Sequence, residues 1–333
     1  FGAKVAILYV LFGLIIAVIG GTVIEKMHME KHVESFILKA GSVDIESSEL
    51  TTQDRLEYAK EQMLSTFKKV FPYMHVSRKG EDIRKGDLIL KKGTIVAPEH
   101  LSLLKSLGIE KINVKKRPRV SIIVTGDELV DRADEASDGK IIDSNSIMLS
   151  SLLKKSMCDV SHQIRVSDDQ EEILNAIKIS KNDSDIILIT GGSSFGKKDY
   201  LPKLIDNILF HGVTIKPGKP IGFAIQEIPI FIMSGYPVAS FVQFYIFVIH
   251  YLENIFKTNL LKSVELTFSE NYSSELGRVE FVRCILKNNE IYPIRLSGSG
   301  VISSISNSSG FILINENIEG VNKGDKYRFY YYL

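Results

Sequence analysis

Cysteine is scarce: Cys158 and Cys284 are the only two in 333 residues. They stand far apart, without metal-ligand spacing, which argues against a disulfide framework and points to a reducing compartment. Seven histidines form no HExxH or similar pattern, so a tightly held protein zinc site is not expected. An excess of either charge is also missing, with 41 basic against 40 acidic residues and a net charge of +1. That balance gives no bulk electrostatic case for nucleic acid or for a polybasic membrane surface. No internal repeat is evident. The length suffices for two or three domains with a well-buried core.

One long apolar run is present. Residues 5–24, VAILYVLFGLIIAVIGGTVI, lie uncharged between Lys4 and Glu25. They match the roughly 20 residues a helix needs to cross a bilayer. A membrane anchor is the expectation here; a buried hairpin turning at Gly20-Gly21 and a signal-type apolar stretch are the alternatives. The first residue is Phe1 rather than Met, as in a fragment or a processed product. Residues 25 to 70 are polar, and Thr51-Thr52-Gln53-Asp54 predicts the start of a packing helix carrying Leu56, Met63, Leu64, Phe67 and Phe71.

The texture changes from Arg78. A short strand is predicted near Leu88–Leu90, then a helix opened by Pro98 and closed by Gly108, then a strand at Ile112–Val114. From 119 to 257 strands and helices alternate. Val120–Val124 is a continuous apolar run, as expected of a strand covered on both faces, and further strands fit Val160–Val166, Ile186–Ile189 and Ile230–Met233. Helices are predicted at Ser146–Lys155, Gln170–Ser180, Tyr200–Leu209 and Val238–Phe256. Such alternation implies parallel pairing with right-handed crossovers. The last helix is apolar on nearly every face, as a central core helix or a subunit interface would be. Beyond Lys257 come short alternating strands at Val264–Phe268, Val279–Leu286, Ile291–Ile294, Phe311–Ile314 and Tyr327–Tyr331, suited to a small β-barrel or sandwich. The expected fold is α/β: a mostly parallel, three-layer α/β/α domain over 117–257 and a C-terminal β domain over 258–333. A connecting segment over 71–116 and an N-terminal region over 1–70 precede them.

Five polar clusters follow strand-like runs. They are Thr125-Gly126-Asp127-Glu128-Leu129, Ser167-Asp168-Asp169, Thr190-Gly191-Gly192-Ser193-Ser194, Lys216-Pro217-Gly218-Lys219-Pro220 and Ser234-Gly235-Tyr236-Pro237. In an open α/β sheet they collect outside the carboxyl ends of the strands, where ligands bind. Adjacent glycines let backbone approach a phosphate, although alone they also read as a plain turn. Two lysines on a proline-stiffened loop present fixed positive charge to an anion. Asp127, Glu128, Asp168 and Asp199 fall just past strand ends, where carboxylates beside phosphate groups hold Mg²⁺ or position a nucleophile. Asp168 and Asp199 also sit where a helix N-cap is wanted; Glu128 does not. His211 reads as a packed histidine, and Ser297-Gly298-Ser299-Gly300 as a linker-like turn.

In order and wording these motifs resemble the molybdopterin molybdenumtransferase family, which includes the MoeA-type enzymes and the gephyrin E domain. The stretches that carry the resemblance are SRKGEDIRKGDLILKKGT (77–94), RPRVSIIVTGDELV (117–130), DGKIIDSNS (138–146), TGGSSFGKKDY (190–200), LFHGVTIKPGKPIGFA (209–224), SGYPVASF (234–241), GRVEFVR (277–283) and SGSGVISS (297–304). The likeness covers roughly residues 75 to 333. It implies an enzyme that cleaves AMP from adenylylated molybdopterin and inserts molybdate into the dithiolene with Mg²⁺ present. It also implies a homodimer, with the pterin nucleotide and molybdate as its small-molecule partners. Matching positions make Asp82, Glu128, Asp168 and Asp199 the catalytic acids, with Asp168 and Asp199 on the metal. Thr125, Gly191, Gly192, Ser193, Ser194 and Pro237 would hold the pterin phosphate side. Lys216 and Lys219 would hold phosphate or molybdate, and Arg283 and Ser303 would close the site from the β domain.

Two departures from the family pattern stand out. Ser234-Gly235-Tyr236-Pro237 replaces the family's Pro-Gly-Asn-Pro, and an extra lysine precedes Asp199. Residues 1 to 70 show no recognisable family N-terminal portion. The rival readings are a molybdopterin adenylyltransferase and a membrane-tethered molybdopterin-binding scaffold. The expected location is cytoplasmic, with residues 5–24 as a potential tether.

Overall fold

The computed structural model describes residues 80–192, 200–295, 298 and 300–333, with fragments at 12–13, 57, 60–61 and 64–65. The apolar run 5–24 and the packing helix expected after Thr51 lie almost wholly outside the described residues. The chain divides into two compact units, residues 1–88 and 89–333. In the first, the described stretch from Gly80 is a turn in which Asp87 Oδ2 accepts from the Arg84 amide at 2.8 Å. Asp82 is exposed there.

The second unit begins with helix α1 (Pro98–Ser106), which has proline in its first turn as the punctuation predicts. The strands expected at Leu88–Leu90 and Ile112–Val114 do not form among the described residues. Leu88 and Val114 stand 74% and 68% exposed, so among the described residues their side chains lack the cover that a short apolar strand needs.

Next come β1 (Arg119–Thr125), the short pair β2 (Leu129–Val130) and β3 (Ile141–Ile142), and α2 (Asn145–Lys155). They are followed by β4 (Asp159–Val166), α3 (Gln170–Asp183), β5 (Ile186–Thr190) and α4 (Leu201–Leu204). Strands β6 (Ile208–His211), β7 (Ile215–Lys216), β8 (Gly222–Ile225) and β9 (Pro229–Met233) lead to the long helix α5 (Pro237–Phe256). The main sheet has the order β4-β1-β5-β9-β8-β6. Its first four strands are parallel, and β8 and β6 extend it antiparallel.

That antiparallel edge corrects the helix expected over Tyr200–Leu209. The helix stops at Leu204, and Asn207 takes the left-handed conformation, with φ 56°. Asparagine tolerates that conformation far better than a branched residue does, so the chain turns there into β6.

Both faces of β1, β5 and β9 are buried, which explains their unbroken apolar character, whereas the edge strand β4 is only partly covered and carries polar residues. Val120, Ile122 and Val124 pack with Leu149 and Leu153 of α2 and with Phe244, Val248 and Leu252 of α5. Ile123, Ile187 and Ile189 face the other way, onto Ile173 and Ile177 of α3 and Leu201 of α4. Helices on both faces give the three layers. Among the described residues α5 is the one helix long and apolar enough to cross a membrane, but it lies in this core. Both thiols are buried, and burial pushes Cys158 up to about 12.

The remaining elements are β10 (Ser263–Phe268), β11 (Tyr272–Ser273), β12 (Val279–Lys287), β13 (Glu290–Pro293), α6 (Ser303–Ser306), β14 (Gly310–Ile314), β15 (Gly320–Val321) and β16 (Lys326–Tyr331). The order β13-β10-β16-β14-β12 closes through the β12–β13 hairpin into a five-stranded barrel. Strand β7 pairs parallel with β12, Ile215 opposite Val279 and Lys216 opposite Glu280, and so ties the lysine loop to the barrel.

Barrel and sheet domain share one core. Phe281 stacks on Phe311 at 4.2 Å between ring centroids, and Tyr245 of α5 meets Phe311 edge-on at 5.7 Å. Phe311→Ala empties the middle of that shared cluster and is expected to cost about 3–5 kcal/mol in denaturant unfolding. A loss below about 1 kcal/mol would mean that the two domains do not depend on this contact.

Candidate functional site

At the carboxyl ends of the parallel strands lies a cavity of about 390 Å³. The chain leaves β1 for β4 on one side and returns to β5 on the other, so the strand order reverses between β1 and β5. Open α/β sheets bind ligands at this kind of crevice. Thr125 closes β1, Asp168 follows β4, Gly191-Gly192 follow β5, and Ser234 to Pro237 join β9 to α5; all of them line the cavity.

Two glycines permit this crowding. Gly191 has φ 104°, and a side chain there would meet the Thr125 carbonyl oxygen at 2.2 Å. Gly192 has φ 51°, and its side chain would strike the Tyr200 ring at 2.8 Å. Only glycine accepts both the positive φ and the close approach.

Asp168 is held from several sides. Its Oδ1 accepts a hydrogen bond from Thr125 Oγ1 at 3.2 Å and another from the Tyr200 hydroxyl. Its amide donates to Asp127 Oδ1 at 3.0 Å. Burial and the neighbouring carboxylate push the Tyr200 phenol above its usual value, so it remains a donor. Asp168 does not cap α3. Asp169 does, accepting from the amides of Glu171 and Glu172 at 2.9 and 3.0 Å, which leaves Asp168 available to the cavity. Glu128 also lines the cavity.

Two buried amides brace the walls. Asn145 donates from Nδ2 to the Gly235 carbonyl at 2.8 Å. Gln243, fully buried in α5, accepts from the Ser234 amide at 2.8 Å and donates to the carbonyls of Gly218 and Pro220 at 2.9 and 3.1 Å. One side chain therefore locks the lysine loop to the turn after β9.

Of the residues expected from sequence, the cavity gathers Thr125, Glu128, Asp168, Gly191, Gly192 and Pro237. Ser193, Ser194 and Asp199 lie outside the described residues. Asp82 belongs to the first unit. Lys216 and Lys219 do not line the cavity. Lys216 Nζ lies 3.5 Å from Glu275 and 3.6 Å from Glu280, and Lys219 borders a shallower depression with His211 and Thr214. Arg283 is buried in the barrel and donates to Ser304 Oγ at 2.7 Å. The expected Ser303 stands exposed beside it. Sequence reasoning missed Tyr200, Asn145 and Gln243. The one available signal was Gln243, an amide inside the mostly apolar first half of α5.

Among the described residues no three histidine, cysteine or acidic side chains cluster as a metal site. Asp168 fits a Mg²⁺ role as one carboxylate ligand, because this ion commonly takes one or two carboxylates together with substrate phosphates.

Comparison with known proteins bears on this geometry. Three family profiles match: "MoeA N-terminal region (domain I and II)" over residues 41–108, "Probable molybdopterin binding domain" over 121–254 and "MoeA C-terminal region (domain IV)" over 265–331. The first match corrects the expectation that nothing of the family precedes residue 70. A molybdopterin biosynthesis protein of Methanocaldococcus jannaschii is 45% identical over 274 residues, covering 79% of this chain and 67% of that protein. The molybdopterin molybdenumtransferase of Haemophilus influenzae is 29% identical, with 76% and 66% covered. The crystal structure of a molybdopterin biosynthesis MoeA protein from Pyrococcus horikoshii superposes with a TM-score of 0.69 at 36% identity, covering 76% of this chain and 64% of that one. The chain thus spans about two thirds of the length of these relatives.

Gln243→Leu keeps the side chain's bulk but orphans the Ser234 amide and two carbonyls. Its expected cost is about 1–3 kcal/mol, read as a lower urea midpoint with an unchanged slope. An unaltered midpoint would contradict the bracing role.

Proposed function

The chain belongs to the MoeA family of molybdopterin biosynthesis proteins, and on that premise we propose that it is a molybdopterin molybdenumtransferase. In this reading it takes adenylylated molybdopterin, releases AMP and inserts molybdate into the dithiolene, giving molybdenum cofactor. The observation that carries it is the cavity where the strand order reverses, inside the stretch matched by the molybdopterin-binding profile.

The chemistry of the lining suits a phosphorylated, partly apolar ligand. Backbone at Gly191 and Gly192 can come close to a phosphate, while Ile141, Ile142 and Tyr236 offer apolar surface to a flat ring. Glu128 and Asp168 would repel the phosphates unless a cation stands between them. Mg²⁺, when bound, would supply that positive charge, with Asp168 as a ligand and Asp199 as its expected partner. Glu128 is assigned to orienting the attacking group. Lys216 and Lys219 are assigned to phosphate or molybdate, and Arg283 and Ser303 to closing the site from the barrel side; none of the four lines the cavity. The same reading carries a homodimer and a cytoplasmic location, with residues 5–24 as a tether.

Incubating the chain with adenylylated molybdopterin, Mg²⁺ and molybdate tests the reading. Molybdate-dependent AMP release is the expected result. ATP-dependent adenylylation of unmodified molybdopterin would identify an adenylyltransferase instead, and binding without turnover a scaffold. Glu128→Ala should lower AMP release by about 100-fold or more. Because Glu128 is exposed, the same change should alter stability by no more than about 0.5 kcal/mol. Near-normal turnover would remove Glu128 from the mechanism.

A further inference from the structure

Several contacts converge on Tyr200, a side chain to which neither the strand-end motifs nor the assigned acids give a role. Its hydroxyl donates to Oδ1 of Asp168 and lies 3.2 Å from Thr125 Oγ1. Thr125 Oγ1 in turn lies 3.2 Å from the same carboxylate oxygen. The ring occupies the space that a side chain on Gly192 would need. Tyr200 thus touches the turns after β1, β4 and β5 at once, at the point where the cavity forms. With the Asp168 amide anchored on Asp127, both the backbone and one carboxylate oxygen of Asp168 are fixed. The other oxygen, Oδ2, makes no hydrogen bond among the described residues.

Resting on the molybdenumtransferase reading, we propose that Tyr200 is a positioning residue. It holds Asp168 so that Oδ2 is presented to the substrate in the cavity. Thr125 alone cannot do this, because a single hydroxyl leaves the carboxylate free to swing about its terminal torsion, which is broad in aspartate. Two hydroxyls on one oxygen set the carboxylate before substrate arrives, and supporting contacts of this kind keep a reacting group in productive geometry. The glycine at 192 is then explained by the ring it must accommodate rather than by the phosphate alone.

Tyr200→Phe isolates the hydroxyl, since the ring remains against Gly192. Its kcat for molybdate-dependent AMP release is expected to fall about 10- to 100-fold, as for loss of a hydrogen bond to a charged group. The Kd for adenylylated molybdopterin should stay unchanged. In an Asp168→Asn background the same substitution should cause no further loss, because the two residues act as a unit. An unaltered kcat, or a full additional loss in the double variant, would overturn the assignment. A crystal structure of Tyr200→Phe tests it independently of turnover. The Asp168 carboxylate should be rotated away from Thr125; a carboxylate left in place would refute the positioning role even in a chain that releases no AMP. Absence of AMP release from the unaltered chain would instead refute the molybdenumtransferase reading.

Discussion

The close approach of the turn after β5 to the end of β1 is the constraint on which the rest of the site depends. Strand order reverses there, and among the described residues the two chain segments meet backbone to backbone. With Gly191 only a Cβ's width from the Thr125 carbonyl, any other residue would push β5 away from β1. That displacement would carry Gly192, the Tyr200 ring and the carboxylate of Asp168 with it. A contact with no side chain of its own therefore sets the distances among all the groups that have one.

Around this contact the cavity is supported at some remove from the ligand space. Gln243 ties the lysine loop to the turn after β9, and β7 ties the same loop to the barrel. The barrel in turn shares its aromatic core with α5. Loss of a buried aromatic in that cluster should thus be felt at the walls, since packed interiors transmit strain. The acids at the mouth have the opposite character. Glu128 is exposed and Asp168 partly exposed.

Much of this was legible in the sequence, for identifiable reasons. Strands buried on both faces leave unbroken apolar runs, so β1, β5 and β9 were found within a residue or two, and the barrel strands were found by alternation. The edge was not. Leu201, Leu204, Ile205, Ile208 and Leu209 have helical spacing, and only pairing with β8 and the left-handed Asn207 turn the second half into strand. Glycines and acids at strand ends announced the site. The family resemblance pointed to Asp168, but position alone left it open as a helix cap, and only the tertiary contacts assign capping to Asp169 and the cavity to Asp168. The lysines were legible as a rigid cationic loop, but their distance from the cavity follows from β7 pairing with the barrel, which no local pattern encodes. Tyr200 and Gln243 depend wholly on partners distant in sequence.

The central claim is that the crevice between β1 and β5 holds the adenylylated pterin. A crystal structure of the chain soaked with adenylylated molybdopterin measures this most directly. The account predicts the ligand in the cavity, with a phosphate against Gly191-Gly192 and the pterin toward Ile142 and Tyr236. Ligand bound elsewhere on the chain, with this cavity empty at saturating concentration, would contradict it.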